Sequence, residues 1–295
     1  MKRRTTFTVS VAALVALSGC SSPAEPAASP STSTRADEDP GAVSPVSVKG
    51  SIEHAHNLAL VDEDTLVIGT HDGVWQQQGA GEKVVQVGDP FDVMGFAVAT
   101  DRWLASGHPS PATGGPADLG LLESTDAGRT WEPVSLAGEV DFHRITTSED
   151  IVLGVNSGDG LLWRSQDAGR TWQTLGAGPF DVTLDPADST RAVATTEGGP
   201  LTSDDGGLSW NETSSAPLIA LVAWTDAGIY GVDQQGRVYL STDRAQTWDE
   251  RGRVDGQPSA LAADGQQVVV LASGTVWNSD DGGQSFTPRV EDVGT

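Results

Sequence analysis

Cysteine is all but missing from this chain: Cys20 stands alone among 295 residues. No disulfide can form within one molecule, so stability has to come from packing. Basic residues are also few, 17 against 41 acidic ones, for a net charge of −24. Lysine occurs only as Lys2, Lys49 and Lys83. So acidic a surface argues against nucleic acid or anionic lipid headgroups as partners held by charge. Long apolar runs are lacking as well. The clearest, Phe7 to Leu17, falls short of the ~20 residues that span a bilayer. No Gly-rich phosphate loop stands out, and a thiol nucleophile is excluded if the one cysteine serves elsewhere.

Cys20 does have a use that its context suggests. Lys2, Arg3 and Arg4 precede the apolar run, which ends in Leu17-Ser18-Gly19-Cys20. Together they form a secretion signal that resembles a bacterial lipobox, which implies lipidation of Cys20, removal of residues 1–19 and attachment to a membrane outside the cytoplasm. Residues 20–45 are rich in Ser, Pro, Ala and Thr. They carry too little apolar surface to repay ordering, and read as a flexible tether. Residues 46–295 then suit one closed β domain.

What is abundant is repetition. STDAGRTW from Ser124, SQDAGRTW from Ser165, SDDGGLSW from Ser203, STDRAQTW from Ser241 and SDDGGQSF from Ser279 share S-x-D and an aromatic end, with serines 41, 38, 38 and 38 residues apart. A period near forty residues, with short apolar runs and Gly-rich turns, predicts a β-propeller blade. Six innermost strands are expected to begin near His54, Val93, Phe142, Asp181, Leu218 and Ser259. The expected fold class is therefore all-β, a six-bladed propeller of four-stranded blades. Val46 to Lys49 is a candidate extra strand for closing the ring. Within each turn the aspartate (Asp126, Asp167, Asp205, Asp243 and Asp281) can accept backbone N–H groups, and a following Gly can take a positive φ. Trp131, Trp172, Trp210, Trp248 and Phe286 then pack against neighbouring sheets. The fourth copy has Ala245 in place of Gly and should hold the most strained turn.

These turns resemble the BNR or Asp-box repeat of sialidases, sortilin-type receptors, some glucanases and a photosystem assembly factor. The resemblance covers about residues 50 to 295 and implies the fold, since catalytic and non-catalytic members share the box. HAHNLALV, THDGVW, DVMGF, ASGHP and EVDFH further resemble exported bacterial proteins labelled sialidase-like or glycosyl hydrolase-like. Sialidases of this fold use a tyrosine nucleophile and three arginines that grip a carboxylate. This chain has only Tyr230 and Tyr239 and lacks the arginine-bearing segment in its first blade. That catalytic pattern is not carried over.

All five histidines lie in the first half. Aligning EHAHNLAL, FDVMGFAV and VDFHRITT puts His56, Met94 and His143 in one register and His54, Asp92 and Asp141 in another. GTHDG and SGHPS likewise make His71 and His108 equivalent. In a propeller these positions emerge on one face, opposite the repeated turns. Imidazoles with a thioether suit copper or zinc, and Asp72, Asp92 and Asp141 are candidates to orient the imidazole N–H groups. The chain thus reads as a binding protein, with a transition metal at the channel mouth and a protein or glycan ligand on that face. A glycoside hydrolase working through paired carboxylates, such as Asp92 with Asp141 or Asp181, and a protein-binding assembly factor are the alternatives.

Overall fold

The computed structural model describes residues 43–213 and 216–294; Cys20, the signal and most of the tether lie outside them. Twenty-four strands form six antiparallel sheets of four, arranged as the blades of a propeller. Innermost strands are Ala55–Leu60, Phe91–Val98, Phe142–Ser148, Asp181–Asp185, Ile219–Thr225 and Pro258–Asp264. A further strand, Val46–Ser47, adds parallel to the outer edge of blade six, against Thr287–Glu291. No helix among the described residues is long and apolar enough to cross a membrane.

The core lies between blades, because each sheet buries one face against the next. Six apolar clusters occupy the six junctions. The largest is the closing seam, where Ile52, Leu58, Leu66 and Ile68 of the first-blade segment meet Val269, Leu271, Val276 and Val290. Arg289 reinforces it. Its Nε donates to Gln77 Oε1 at 2.7 Å and its Nη2 to the Asp64 carbonyl at 2.6 Å. The junction of blades four and five is the thinnest, with Val193, Val222, Ile229 and Ala245 buried.

The five repeated turns follow one bonding plan. Each serine hydroxyl donates to its aspartate at 2.7–2.9 Å and accepts the amide four residues on at 2.8–2.9 Å. The aspartate accepts the amide of the following Thr or Ser at 2.8–3.0 Å and its hydroxyl at 2.6–2.7 Å. The Thr130 amide and hydroxyl hold the Asp126 carboxyl at about 2, and the Thr171 hydroxyl and amide do the same for Asp167. At Asp281 burial pushes upward, and the Ser285 hydroxyl and amide outweigh it, leaving about 2. Two consecutive residues of every turn take positive φ, such as Ala127 (60°) and Gly128 (79°). The fourth turn alone has no glycine at either place, with Arg244 at 61° and Ala245 at 62°. It carries the extra left-handed strain that the sequence foretold.

One irregularity prepares the opposite face. Near the start of the inner strand, five blades skip one residue in their pairing: His56, Met94, His143, Ala220 and Ser259. A bulge of this kind takes its extra residue out of the ladder and re-aims its side chain. The register read from the sequence for His56, Met94 and His143 thus has a structural basis.

Candidate functional site

Where the inner strands begin and the second strands turn into the third, the histidines gather at the mouth of the central channel. His54 and His56 come from the first inner strand and the residue before it, and His71 from the following turn. Their ring centroids lie 4.6, 5.0 and 4.6 Å apart. Each of the three offers a nitrogen within 4.8 Å of the others. From blade two, Asp92 Oδ2 stands 3.0 Å from His71 Nδ1, while its Oδ1 faces His56 Nε2 at 3.9 Å. Both His56 Nε2 and Asp92 Oδ1 are buried without a hydrogen-bond partner. Burial, then the neighbouring His54 and His71, lowers the His56 pKa to about 4. At neutral pH His56 is therefore an uncharged base with a free lone pair.

The remaining two histidines form a second group. His143 Nε2 lies 2.7 Å and His108 Nε2 3.5 Å from Asp141 Oδ2. Ser157 Oγ donates to the same oxygen at 2.8 Å. The Asp141 amide is held by Asn156 Oδ1 at 3.1 Å. Burial would raise Asp141, but the bonds from His143 and Ser157 keep it below the usual carboxylate range. His108 Nδ1 bonds the Ala117 carbonyl at 2.9 Å and lies 3.5 Å from Asp118 Oδ1. Next to it, Gly107 at φ +150° lets the Asp92 carbonyl oxygen come close, since a Cβ there would collide with it.

The channel below is a cavity of about 240 Å³ walled by all six inner strands, with His56, Arg144 and Asp181 among its lining residues. Arg144 Nε is 3.5 Å from Asp181 Oδ1. Burial pushes the Asp181 carboxyl up against the pull of Arg144 and of the Val222 and Val182 amides.

Solved structures similar to this chain include the nidogen–laminin complex, at TM-score 0.59 and 10% identity over 76% of this chain and 91% of that one. The GH74 xyloglucanase from Xanthomonas campestris follows at 0.54 and 18%, over 81% of this chain and 46% of the enzyme. YCF48 bound to D1 peptide gives 0.49 and 19%, over 80% and 81%. The likeness is one of fold. No protein-family model matches the chain, and no curated protein does.

Of the residues singled out from the sequence, His54, His56, His71 and Asp92 meet in one group and His108, His143 and Asp141 in another. Met94 is half-buried at its bulge, its carbonyl accepting from Asn57 Nδ2 at 3.0 Å. The Asp72 amide donates to Thr70 Oγ1, and its carboxylate makes no bond or ion pair with an imidazole among the described residues. Asp118 was missed. It sits in the long turn of blade two, where no periodic pattern points inward. Asn156 and Ser157, which steady Asp141, were missed because neither type stands out among so many polar residues.

Proposed function

We propose that this protein is a lipid-anchored, extracytoplasmic propeller that binds a copper or zinc ion at its channel mouth and does not turn over substrate. The observation that carries the reading is the orphaned pair, His56 Nε2 and Asp92 Oδ1, buried, unpartnered and 3.9 Å apart beside two more imidazoles. Unpaired buried polar atoms are costly, and a cation between them would remove the cost. Two donors reached at ~2.0–2.2 Å on a tetrahedral ion lie about 3.4 Å apart, so the pair would close by about half an ångström on binding. Three imidazoles with a carboxylate suit zinc or copper(II). Asp92 would either bind directly or orient His71 through its Nδ1.

Elemental analysis of tag-free full-length protein, loaded separately with zinc and copper and desalted, tests this. Retained metal that disappears in His56→Ala supports the reading; no retention, or retention unchanged in that variant, overturns it. The anchor has its own test. Cys20→Ser should move the protein from the detergent phase to the aqueous phase, and a variant that stays in detergent would sink the lipidation.

A second reading, a protein or glycan ligand on the same face, is favoured by one observation. Phe180 and Leu218, 50% and 66% exposed, project at the starts of the fourth and fifth inner strands, around the mouth from the histidines. Phe180→Ser with Leu218→Ser should abolish capture of such a ligand while leaving metal content untouched.

A further inference from the structure

We propose that a hollow on the face of the repeated turns, between blades four and five, binds a neutral sugar unit of a glycan. The site lies on the opposite face from the histidines and does not depend on the metal reading. A repeat keeps the same residue types at equivalent places unless something besides the fold requires a change, and this junction departs from the repeat three times. Trp224 is the only tryptophan in an inner strand. It stands four residues beyond the bulge at Ala220, where the other bulged strands have Leu60, Val98, Thr147 and Ala263. Arg244 takes the first left-handed place of its turn at φ 61°, where the other four turns have Ala127, Ala168, Gly206 and Gly282. Gln246 is the third departure. Three of its counterparts, Arg129, Arg170 and Gln284, donate to the carbonyl of their own turn aspartate at 2.8–3.0 Å, whereas the Gln246 side chain makes no hydrogen bond among the described residues.

All three border one hollow of about 440 Å³, together with Arg191, Asp204 and Thr242, a size within the ~300–1,000 Å³ of ligand sites. A large side chain at a left-handed place is strained, and such strain gathers where a ligand is held. Trp224 packs half-buried against the thin apolar cluster of this junction and borders both the hollow and the channel. An indole face attracts the C–H side of a sugar ring, whose hydrogens carry small positive partial charges. Around it the Asp204 carboxylate accepts, the Arg244 guanidinium donates, and the Gln246 amide and Thr242 hydroxyl do both. Hydroxyl groups, which also donate and accept, satisfy such a mixture. These four side chains are exposed and free to turn to a ligand, while the Ser241 hydroxyl and Asp243 carboxylate stay engaged in the turn. Charge argues against an acidic sugar. Arg191 is already held by Asp188 at 3.0 Å and Asp185 at 3.7 Å, and Arg244 is balanced by Asp204 and Asp243 in the same hollow.

Titration calorimetry of the full-length protein with neutral oligosaccharides of glucose, galactose, mannose and N-acetylglucosamine, followed in parallel by tryptophan fluorescence, tests the proposal. At least one series should bind at millimolar concentration or below, and its uronic-acid counterpart should bind more weakly. Trp224→Ala should weaken that binding at least about tenfold, as loss of an aromatic stacking partner does, and Trp224→Phe should restore most of it. Gln246→Ala and Arg244→Gly change exposed side chains, should keep the fold, and should each cost about fivefold. His56→Ala, and Phe180→Ser with Leu218→Ser, lie on the other face and should change nothing. No binding by any of the four series overturns the proposal, as does binding that survives both Trp224→Ala and Arg244→Gly. Binding lost instead in Phe180→Ser with Leu218→Ser places the sugar at the channel mouth, which also overturns it. Thermal unfolding of each variant separates loss of the site from loss of fold; if Trp224→Ala does not fold, Arg244→Gly and Gln246→Ala decide.

Discussion

The two faces of this propeller are built from the same kinds of residue and treat them in opposite ways. On the face of the repeated turns, the serine hydroxyls and aspartate carboxylates are engaged in the same bonds five times over. On the face of the channel mouth, His56 Nε2, Asp92 Oδ1 and Asp141 Oδ1 are buried and left unpaired. A saturated carboxylate has nothing left to offer a ligand. An unsaturated one carries a cost that a ligand or an ordered water relieves. Acidic residues abound on both faces, so residue type alone does not separate the two sets of aspartates; the state of their oxygens does.

The sharpest way to break this comparison is His56→Ala. Metal affinity should collapse by at least about a hundredfold, while the melting point without metal barely moves, since Nε2 gives up no bond. A large fall in metal-free stability would show that His56 is structural after all. Next in size is pH. The His56 pKa falls from 6.5 to about 4 on folding, so below 6.5 the unfolded chain takes up a proton that the folded one refuses. Stability is therefore lost as pH drops from 6.5 toward 4, by up to ~3 kcal/mol at about 1.4 kcal/mol per unit. Metal-free His56→Gln should lack that loss, and parallel denaturation curves for parent and variant across this range would contradict it. The repeated turns behave differently. Their aspartates are depressed, so their contribution is full above about pH 4 and is lost only as pH falls toward about 2.

Breaking the other face should cost stability and spare metal. Ser165→Ala leaves the buried Gly169 amide without its acceptor, worth about 1–3 kcal/mol in urea unfolding. Unchanged stability would mean that water replaces the hydroxyl. Smaller, and of opposite sign, is Arg244→Gly. It relieves an exposed residue held at φ 61° and should raise stability by up to about 1 kcal/mol; a fall would show that the guanidinium matters more than the strain. Smallest is Asp72→Asn, expected to leave both metal content and melting point alone.

Much of this was legible in the chain. The repeat gave six blades because a forty-residue period with one turn per copy has few other solutions, and the strained fourth turn followed from Ala245. Aligning inner strands also put His56, Met94 and His143 in one register, and they are three of the five bulged residues. Separation of the histidines into two groups was not legible, because it depends on which carboxylate each imidazole meets across a blade junction. Asp92 and Asp141 differ little in sequence context, yet one meets two imidazoles of the preceding blade and the other draws one from its own strand. Asp118 and the Arg289–Gln77 seam were equally hidden, being contacts between segments far apart in the chain.

That seam has a consequence for how the ring comes together. Arg289 and Gln77 are 212 residues apart, and Val46 pairs with Val290, so the first and last blades must meet before either is complete. Contacts of such separation form late and slowly. Five blades can assemble on their neighbours as they are synthesised, while the first keeps one flank open until blade six arrives. His54, His56 and His71 belong to that waiting blade, so the histidine group at the mouth should become fully enclosed only in the final step of folding.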